Sequence, residues 1–255
     1  MMRNNWTREE LILAFNLYCK LSYGKFNVSS IEVKTLAKII GRTPGAVAYK
    51  LVNFVSLDPK QKLLGRKGAT NIGKLDREIF KEFTENFDEM FFESEKLLED
   101  KPIAEKYILD IDNLIDETKK GESVIRETKV RQNQHYFRSL VLSNYSNSCA
   151  MTGIAIPELL IASHIKPWSV DEKNRLNPAN GICLSATLDK AFDKGLITID
   201  NNFTILFSSK LKKYSKEKFY NDELFKFENR RILLPVKFLP NEEFLTYHND
   251  VVFLK

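Results

Sequence analysis

Apolar residues recur at helical spacing through the N-terminal part of the chain and gather into short strand-like runs only after residue 158, so the pattern predicts a helical half followed by a mixed half. Thr7 with Glu10 forms a capping box, and Leu11, Leu13, Ala14, Leu17 and Tyr18 follow it through about Leu21. After a turn at Tyr23 to Phe26, Ser29 with Glu32 makes a second capping box before Ile31, Val33, Leu36, Ala37 and Ile40, and Gly41 ends that helix. Thr43 as N-cap and Pro44 in the first helical position open a third, with Ala46, Val47, Leu51 and Phe54 inward. Lys74 to Lys101 predicts one long helix whose stripe is Leu75, Ile79, Phe80, Phe83, Phe87, Met90 and Phe91. A further acidic helix is expected over Ile103 to Thr118, and the loss of periodicity after it places a domain boundary near residues 118 to 128.

Arg131 to Tyr145 predicts another helix, with Tyr136, Phe137, Leu140, Val141 and Tyr145 available for packing and Arg131, Gln134 and Arg138 on a different face. Leu159 to Ala162 lead into His164, a polar run rich in turn formers extends through Asn180, and Gly181 to Leu184 form a second apolar run. Thr187 to Lys194 is helical in pattern. Two strands, a long loop and a helix is the simplest assignment, with Leu196 to Ile199 and Phe203 to Phe207 as further strands about Asp200-Asn201-Asn202. Short apolar runs at Ile232 to Leu234 and Val251 to Leu254 add cover to the core. The expected class is α+β: a helical domain over 1–120 and a strand-helix domain over 121–255.

Composition narrows this little. At 43% hydrophobic and 29% charged the chain reads as globular, and no apolar run reaches the length of a membrane span. Thirty-nine Lys and Arg against 34 Asp and Glu leave a formal charge of +5, permissive of nucleic acid. Cys19, Cys149 and Cys183 are odd in number and far apart, which disfavours a disulfide framework and makes a reducing cytoplasm the default. Lys60 to Lys74, KQKLLGRKGATNIGK, is expected to be a mobile basic loop, either a phosphate contact or a solvated connector.

The chemistry concentrates between Leu159 and Asp200. Placed at the end of the first strand, His164 is expected to point toward the helix, where Asp189 and Asp193 lie four apart on one face. An imidazole opposite two carboxylates suits phosphodiester hydrolysis, with a base for water and oxygen ligands for a hard cation. The segment resembles the HNH (ββα-metal) endonucleases. His164, Asn180 and Asp189 fall in the family's order, and the words Ser163 to Trp168 and Phe192 to Ile197 are similar to those of one subgroup. That resemblance implies His164 as general base, Asn180 as a brace of the loop, and Asp189, joined by Asp193, as metal ligands. It departs at Ser163, where many members carry a stronger ligand, and at Asp189, where many carry His; the latter favours magnesium or manganese over zinc or nickel. The paired Cys-x-x-Cys motifs of some relatives are missing, so a structural zinc is disfavoured.

The first three helices resemble Myb/SANT-type helix-turn-helix domains, on Trp6-Thr7-x-Glu9-Glu10 and on Leu36 through Val47. In that resemblance the third helix enters the major groove of double-stranded DNA and makes Arg42, Thr43, Tyr49, Lys50 and Asn53 available to it. Some such units bind protein instead. Arg131 and Arg138 could hold the DNA backbone or form ion pairs within the protein, and Lys166, beside the motif histidine, is a further phosphate candidate. The leading expectation is a metal-dependent DNA endonuclease of restriction or defence type, in which a homodimer would let single-site domains cut both strands. A DNA-binding regulator with an inactive nuclease fold, and an RNase or structure-specific nuclease, remain as alternatives.

Overall fold

The computed structural model describes residues 5–99 and 124–255, and for 99 and 124–132 the backbone alone. The helix expected over Ile103 to Thr118 lies outside the described residues, as does most of the stretch expected to hold the boundary. The chain forms two compact units, Met1–Gln134 and His135–Lys255.

The first unit is built around α1 (Arg8–Lys20), which is buried continuously from Leu11 to Cys19. Its start is the expected box: Thr7 Oγ1 accepts from Glu10 N at 3.3 Å and Thr7 N donates to Glu10 Oε2 at 2.9 Å. Phe15 sits at the centre, its ring 4.5 to 5.5 Å from those of Tyr18, Phe54, Phe80 and Phe83. α2 (Ile31–Ile39) has its cap one residue later than expected. Ser30 occupies the N-cap without a side-chain bond to the backbone, and the Asn27 carboxamide accepts from Ser29 N and Ser30 N instead. Gly41, at φ +66°, carries the chain through a left-handed turn to α3 (Pro44–Leu57), which Thr43 caps through Ala46 N.

Two expectations change. The basic stretch is not a loop throughout: Pro59–Leu63 forms the short helix α4, capped by Asp58, whose other oxygen accepts from Tyr18 OH at 2.6 Å. Lys60 and Gln61 are buried there, and Arg66 donates to Gln61 Oε1 and lies 4.5 Å over the Tyr23 ring. The long helix is two, α5 (Lys74–Glu85) and α6 (Phe87–Glu99), broken at Asn86, which leaves helical geometry at φ −137° and ψ 57°. Both helices pack on α1, which one straight rod carrying the same stripe could not do along its whole length.

In the second unit α7 (Val124–Asn144), the helix shared with the end of the first, lays Tyr136, Phe137, Leu140 and Val141 into the core. β1 (Leu160–His164) pairs antiparallel with β2 (Gly181–Ser185), matching Ser163 with Ile182 and His164 with Gly181. α8 (Ala186–Asp193) packs back on both strands. β3 (Ile197–Ile199) and β4 (Ile205–Phe207) form a second ribbon, followed by one turn of helix, α9 (Ser209–Lys212), and by α10 (Glu242–Tyr247). The tail is anchored at several points. Asn144 accepts from Lys237 N and donates to Phe238 O, while Gly195, at φ +63°, leaves no Cβ to strike Val252 O. No helix among the described residues is long and apolar enough to cross a membrane.

His248 belongs to this core. It stacks on Phe192 at 3.7 Å, contacts Phe192 O through Nε2 at 3.2 Å and meets the Thr198 hydroxyl at Nδ1. Burial pulls its pKa down to about 4, against a weaker raising effect of the Phe192 carbonyl. A histidine whose folded pKa is depressed stabilises the neutral-pH fold and loses that contribution as the unfolded chain takes up the proton. Between pH 6.5 and pH 4 the shift corresponds to roughly 3 kcal/mol of lost stability. His248→Phe should keep the stack but flatten this loss, read by urea unfolding through Trp168 in a Trp6→Phe background; an unchanged pH slope would assign the sensitivity elsewhere.

Candidate active site

The site lies at the C-terminal end of β1 and is assembled from two faces. Consecutive strand residues point to opposite sides, so Ser163 and His164 cannot face the same helix. Ser163 faces α8 and His164 faces α7. The expectation that His164 points toward the helix bearing Asp189 and Asp193 is therefore corrected: its ring stacks on Phe137 of α7, 3.8 Å between centroids and 8° from parallel, with Trp168 edge-on at 5.6 Å.

Gly181 makes that stack possible. It is paired across the ribbon with His164, and a Cβ there would come within 2.3 Å of Val141 and 2.9 Å of Phe137. The absent side chain lets α7 close on the strands and present Phe137 to the imidazole.

His164 Nε2 lies 2.9 Å from Arg175 O. A carbonyl only accepts, so Nε2 carries the proton and Nδ1 keeps its lone pair. Burial lowers the pKa of the ring, partly offset by the Arg175 carbonyl, so the neutral form is favoured. Arg175 is itself held, its Nε donating to Trp168 O and its guanidinium lying 5.1 Å over the Trp168 ring.

Asn180, fully buried, ties the two ends of the loop together. Its Oδ1 accepts from Lys166 N at 2.8 Å, and its Nδ2 donates to Lys166 O and Asn174 O. Its own backbone carbonyl accepts from Ile165 N, so the residue after the imidazole is fixed as well. Lys166 Nζ pairs with Asp171 at 3.0 Å. Burial would raise the Asp171 carboxyl, but hydrogen bonds from Lys166 and Asn174 outweigh it and hold it below its ordinary range.

On the other face, Asp189 and Asp193 stand one turn apart on α8. Burial raises the pKa of Asp189, with Ser163 and Lys190 opposing. Burial also raises Asp193, and the Asp189 charge adds to it against Lys190 and Lys194. Ser163 Oγ is buried and has no partner at hydrogen-bonding geometry, though it lies close enough to Asp189 to favour the charged carboxylate. Among the described residues no three His, Cys, Asp or Glu side chains form a cluster, so the donors gathered here are two carboxylates and a hydroxyl. Cys149 and Cys183 are buried in the core, Cys183 on β2 itself. Cys149 Sγ accepts from Thr152 N and Ser185 N, and burial pushes the Cys183 thiol up to about 12.

The remaining expected contact residues are mostly engaged inside the protein. Arg138 donates to Leu160 O at 2.6 Å and to Pro157 O at 2.8 Å, clamping the entry to β1 instead of standing free for a phosphate. The Arg131 side chain lies outside the described residues. In the first unit Lys50 and Asn53, expected at the groove, are buried and converge on Asp76, with Lys50 Nζ 2.8 Å from its carboxylate. Arg42 binds Glu10 and lies 4.8 Å over Trp6. Thr43 and Tyr49 are exposed.

Phe137 as the ring under the imidazole and the Arg175 carbonyl as its acceptor were not legible as site elements. Phe137 reads as a core residue of an amphipathic helix, and a backbone carbonyl leaves no mark on a sequence. Gly181, an isolated glycine opening an apolar run, was the available signal.

None of the curated proteins matches this chain. Residues 149–200, from the turn before β1 through β2 and α8 to the end of β3, match the model of the HNH endonuclease family, which supports a nuclease acting on nucleic acid.

Proposed function

We propose that the protein is a divalent-metal-dependent endonuclease that hydrolyses double-stranded DNA, with His164 as general base. The observation that carries this reading is the juxtaposition, on neighbouring residues of one strand end, of a neutral imidazole with a fixed tautomer and a hydroxyl beside the half-buried carboxylate of Asp189, with Asp193 one turn further along α8. Adjacent Cα atoms are about 3.8 Å apart. A phosphodiester laid across that strand end would meet both faces.

Asp189, Asp193 and Ser163 fit a hard cation. They offer oxygen donors only, which favours magnesium or manganese, and a positive ion would relieve the repulsion between the carboxylates and give Ser163 Oγ a partner. When bound, such an ion supplies charge stabilisation to the phosphoryl and leaving oxygens. The chain does the rest. His164 Nδ1 takes the proton from the attacking water, Phe137 and Arg175 O hold the ring in plane and tautomer, and Asn180 fixes the backbone on which the ring is mounted. Lys166, in the loop that borders the site, is paired with Asp171 and would meet a phosphate by exchanging that partner.

In the first unit we assign duplex reading to the exposed start of α3, at Thr43 and Tyr49, with Lys50, Asn53 and Arg42 as its internal support. A reader joined to a nuclease suits restriction or defence, and a homodimer would place two sites on the two strands.

The test is cleavage of modified and unmodified plasmid by the full chain with magnesium or manganese, with duplex, single-stranded DNA and RNA compared. Nicking or linearisation that EDTA abolishes is the expected result. Cleavage of RNA alone would move the assignment to an RNase, and DNA binding without cleavage of any substrate would favour a regulator with an inactive fold.

A further inference from the structure

Outside the matched residues, the segment from Lys210 to Phe219, KLKKYSKEKF, carries five lysines against one glutamate. Every residue from Lys212 to Phe219 is exposed. Lys212 pairs with Glu228, but Lys210, Lys213, Lys216 and Lys218 make no ion pair among the described residues. Interleaved with them, Tyr214 and Phe219 are 55% and 54% exposed, far more than rings of that size need be, and neither is in a ring contact among the described residues. Asn221 holds the turn by donating to Ser215 O and Glu217 O, so the rings are presented from an ordered backbone.

The strip packs against α8, the helix that carries Asp189 and Asp193, on a different face from theirs. Leu211, buried beneath it, lines an open groove with Leu224, Leu196 and Ala191, and the rim of that groove carries Lys190 and Lys194 of α8, the helix that bears Asp189 and Asp193. Lys190 and Lys194 thus add two positive charges on the side of α8 that faces Leu211.

We propose that Lys210 to Phe219 binds a single-stranded stretch of the nucleic acid that the site cleaves, an inference that rests on the nuclease reading. Unpaired lysines match a phosphate backbone, and exposed rings match unpaired bases, whose faces a duplex keeps stacked inside. An anionic membrane could also take lysines with rings among them, but the nuclease-family match within the same unit favours nucleic acid, and the vesicle arm below separates the two.

Binding is measured by fluorescence anisotropy on the full-length His164→Ala protein without metal, so that no cleavage is needed, using a fluorescein-labelled deoxyribonucleotide single strand and a blunt duplex of the same sequence. Tyr214→Ala with Phe219→Ala should weaken the single strand about tenfold or more and leave the duplex within about twofold. Lys213→Ala with Lys216→Ala and Lys218→Ala should lower the salt slope for the single strand by about 2. All five positions are on the surface, and an unchanged melting temperature verifies the fold. Unchanged single-strand affinity, or equal losses on both substrates, would overturn the proposal, as would loss of binding to phosphatidylserine vesicles with oligonucleotide affinity intact. Wild-type protein that binds the single strand through this strip yet cleaves nothing would refute the nuclease reading alone.

Discussion

His164→Ala is expected to lower the rate of DNA cleavage by roughly a hundred- to ten-thousand-fold, the range for removal of a general base, if the proposed nuclease reading holds. Duplex binding is expected to persist, because the imidazole is committed to Arg175 O and the Phe137 ring and not to the lysines of the unit. The wild-type rate should rise with pH as the imidazole loses its proton and level off, with a midpoint below 6.5, since burial disfavours the charged ring. The acid limb should vanish in the variant. Alanine also removes one half of a stacked pair, so His164→Asn serves as the control: its shorter carboxamide refills part of the space beside Phe137, without reaching the Arg175 carbonyl, and cannot accept a proton from water. Equal losses in both variants, with melting temperatures near wild type, locate the defect in chemistry. A His164→Asn protein that cuts within tenfold of wild type would remove His164 from the role of base.

The contrast between the two faces of β1 explains what could be read in advance. His164, Asn180 and Asp189 stood out because few residue types can do what they do: Asn180 alone satisfies two ends of a loop with one side chain. Strand and helix positions near the site were legible to within a residue or two because the apolar runs are short and bounded by turn formers. Direction was the weak point. The period of two puts Ser163, not His164, against α8, and the order of motif residues alone does not say which of the two neighbours faces the carboxylates. In the helical unit the difficulty was charge. Lys50, Asn53 and Arg42 look like groove-facing polar residues in sequence, but Asp76 and Glu10, distant along the chain, draw them inward. A buried ion pair of this kind costs desolvation to form and about 3–5 kcal/mol to break, so it holds its partners firmly. Local spacing carries no information about such partners. The same holds for the break at Asn86, which is set by the need of two apolar stripes to reach one central helix, whereas the stripe itself continues without interruption.

Asp189→Asn is expected to act in opposite directions on stability and on activity. Burial makes the charged carboxylate unfavourable in the folded protein, and the charge it bears also raises the pKa of Asp193. A carboxyl whose folded pKa is raised contributes less to stability as pH climbs through that value, so at neutral pH the metal-free wild type holds two repelling charges at a cost to the fold. The carboxamide removes one of them without emptying the space. The metal-free variant should therefore melt at a higher temperature than the wild type at pH 7, and the difference should shrink as the pH is lowered and the wild-type carboxyls take up protons. Magnesium or manganese should raise the melting temperature of the wild type and have little effect on the variant, because the neutral group is a weaker ligand. Cleavage should fall on the order of a thousandfold, the scale of the several kcal/mol of charge stabilisation that a bound ion contributes. Asp193→Asn should show the same signs with a smaller gain in metal-free stability, since Asp193 is the more exposed of the two. A lower melting temperature in Asp189→Asn without metal, or a metal-induced shift as large as that of the wild type, would show that the carboxylate is a structural partner within the protein and would take the cation off this face of α8.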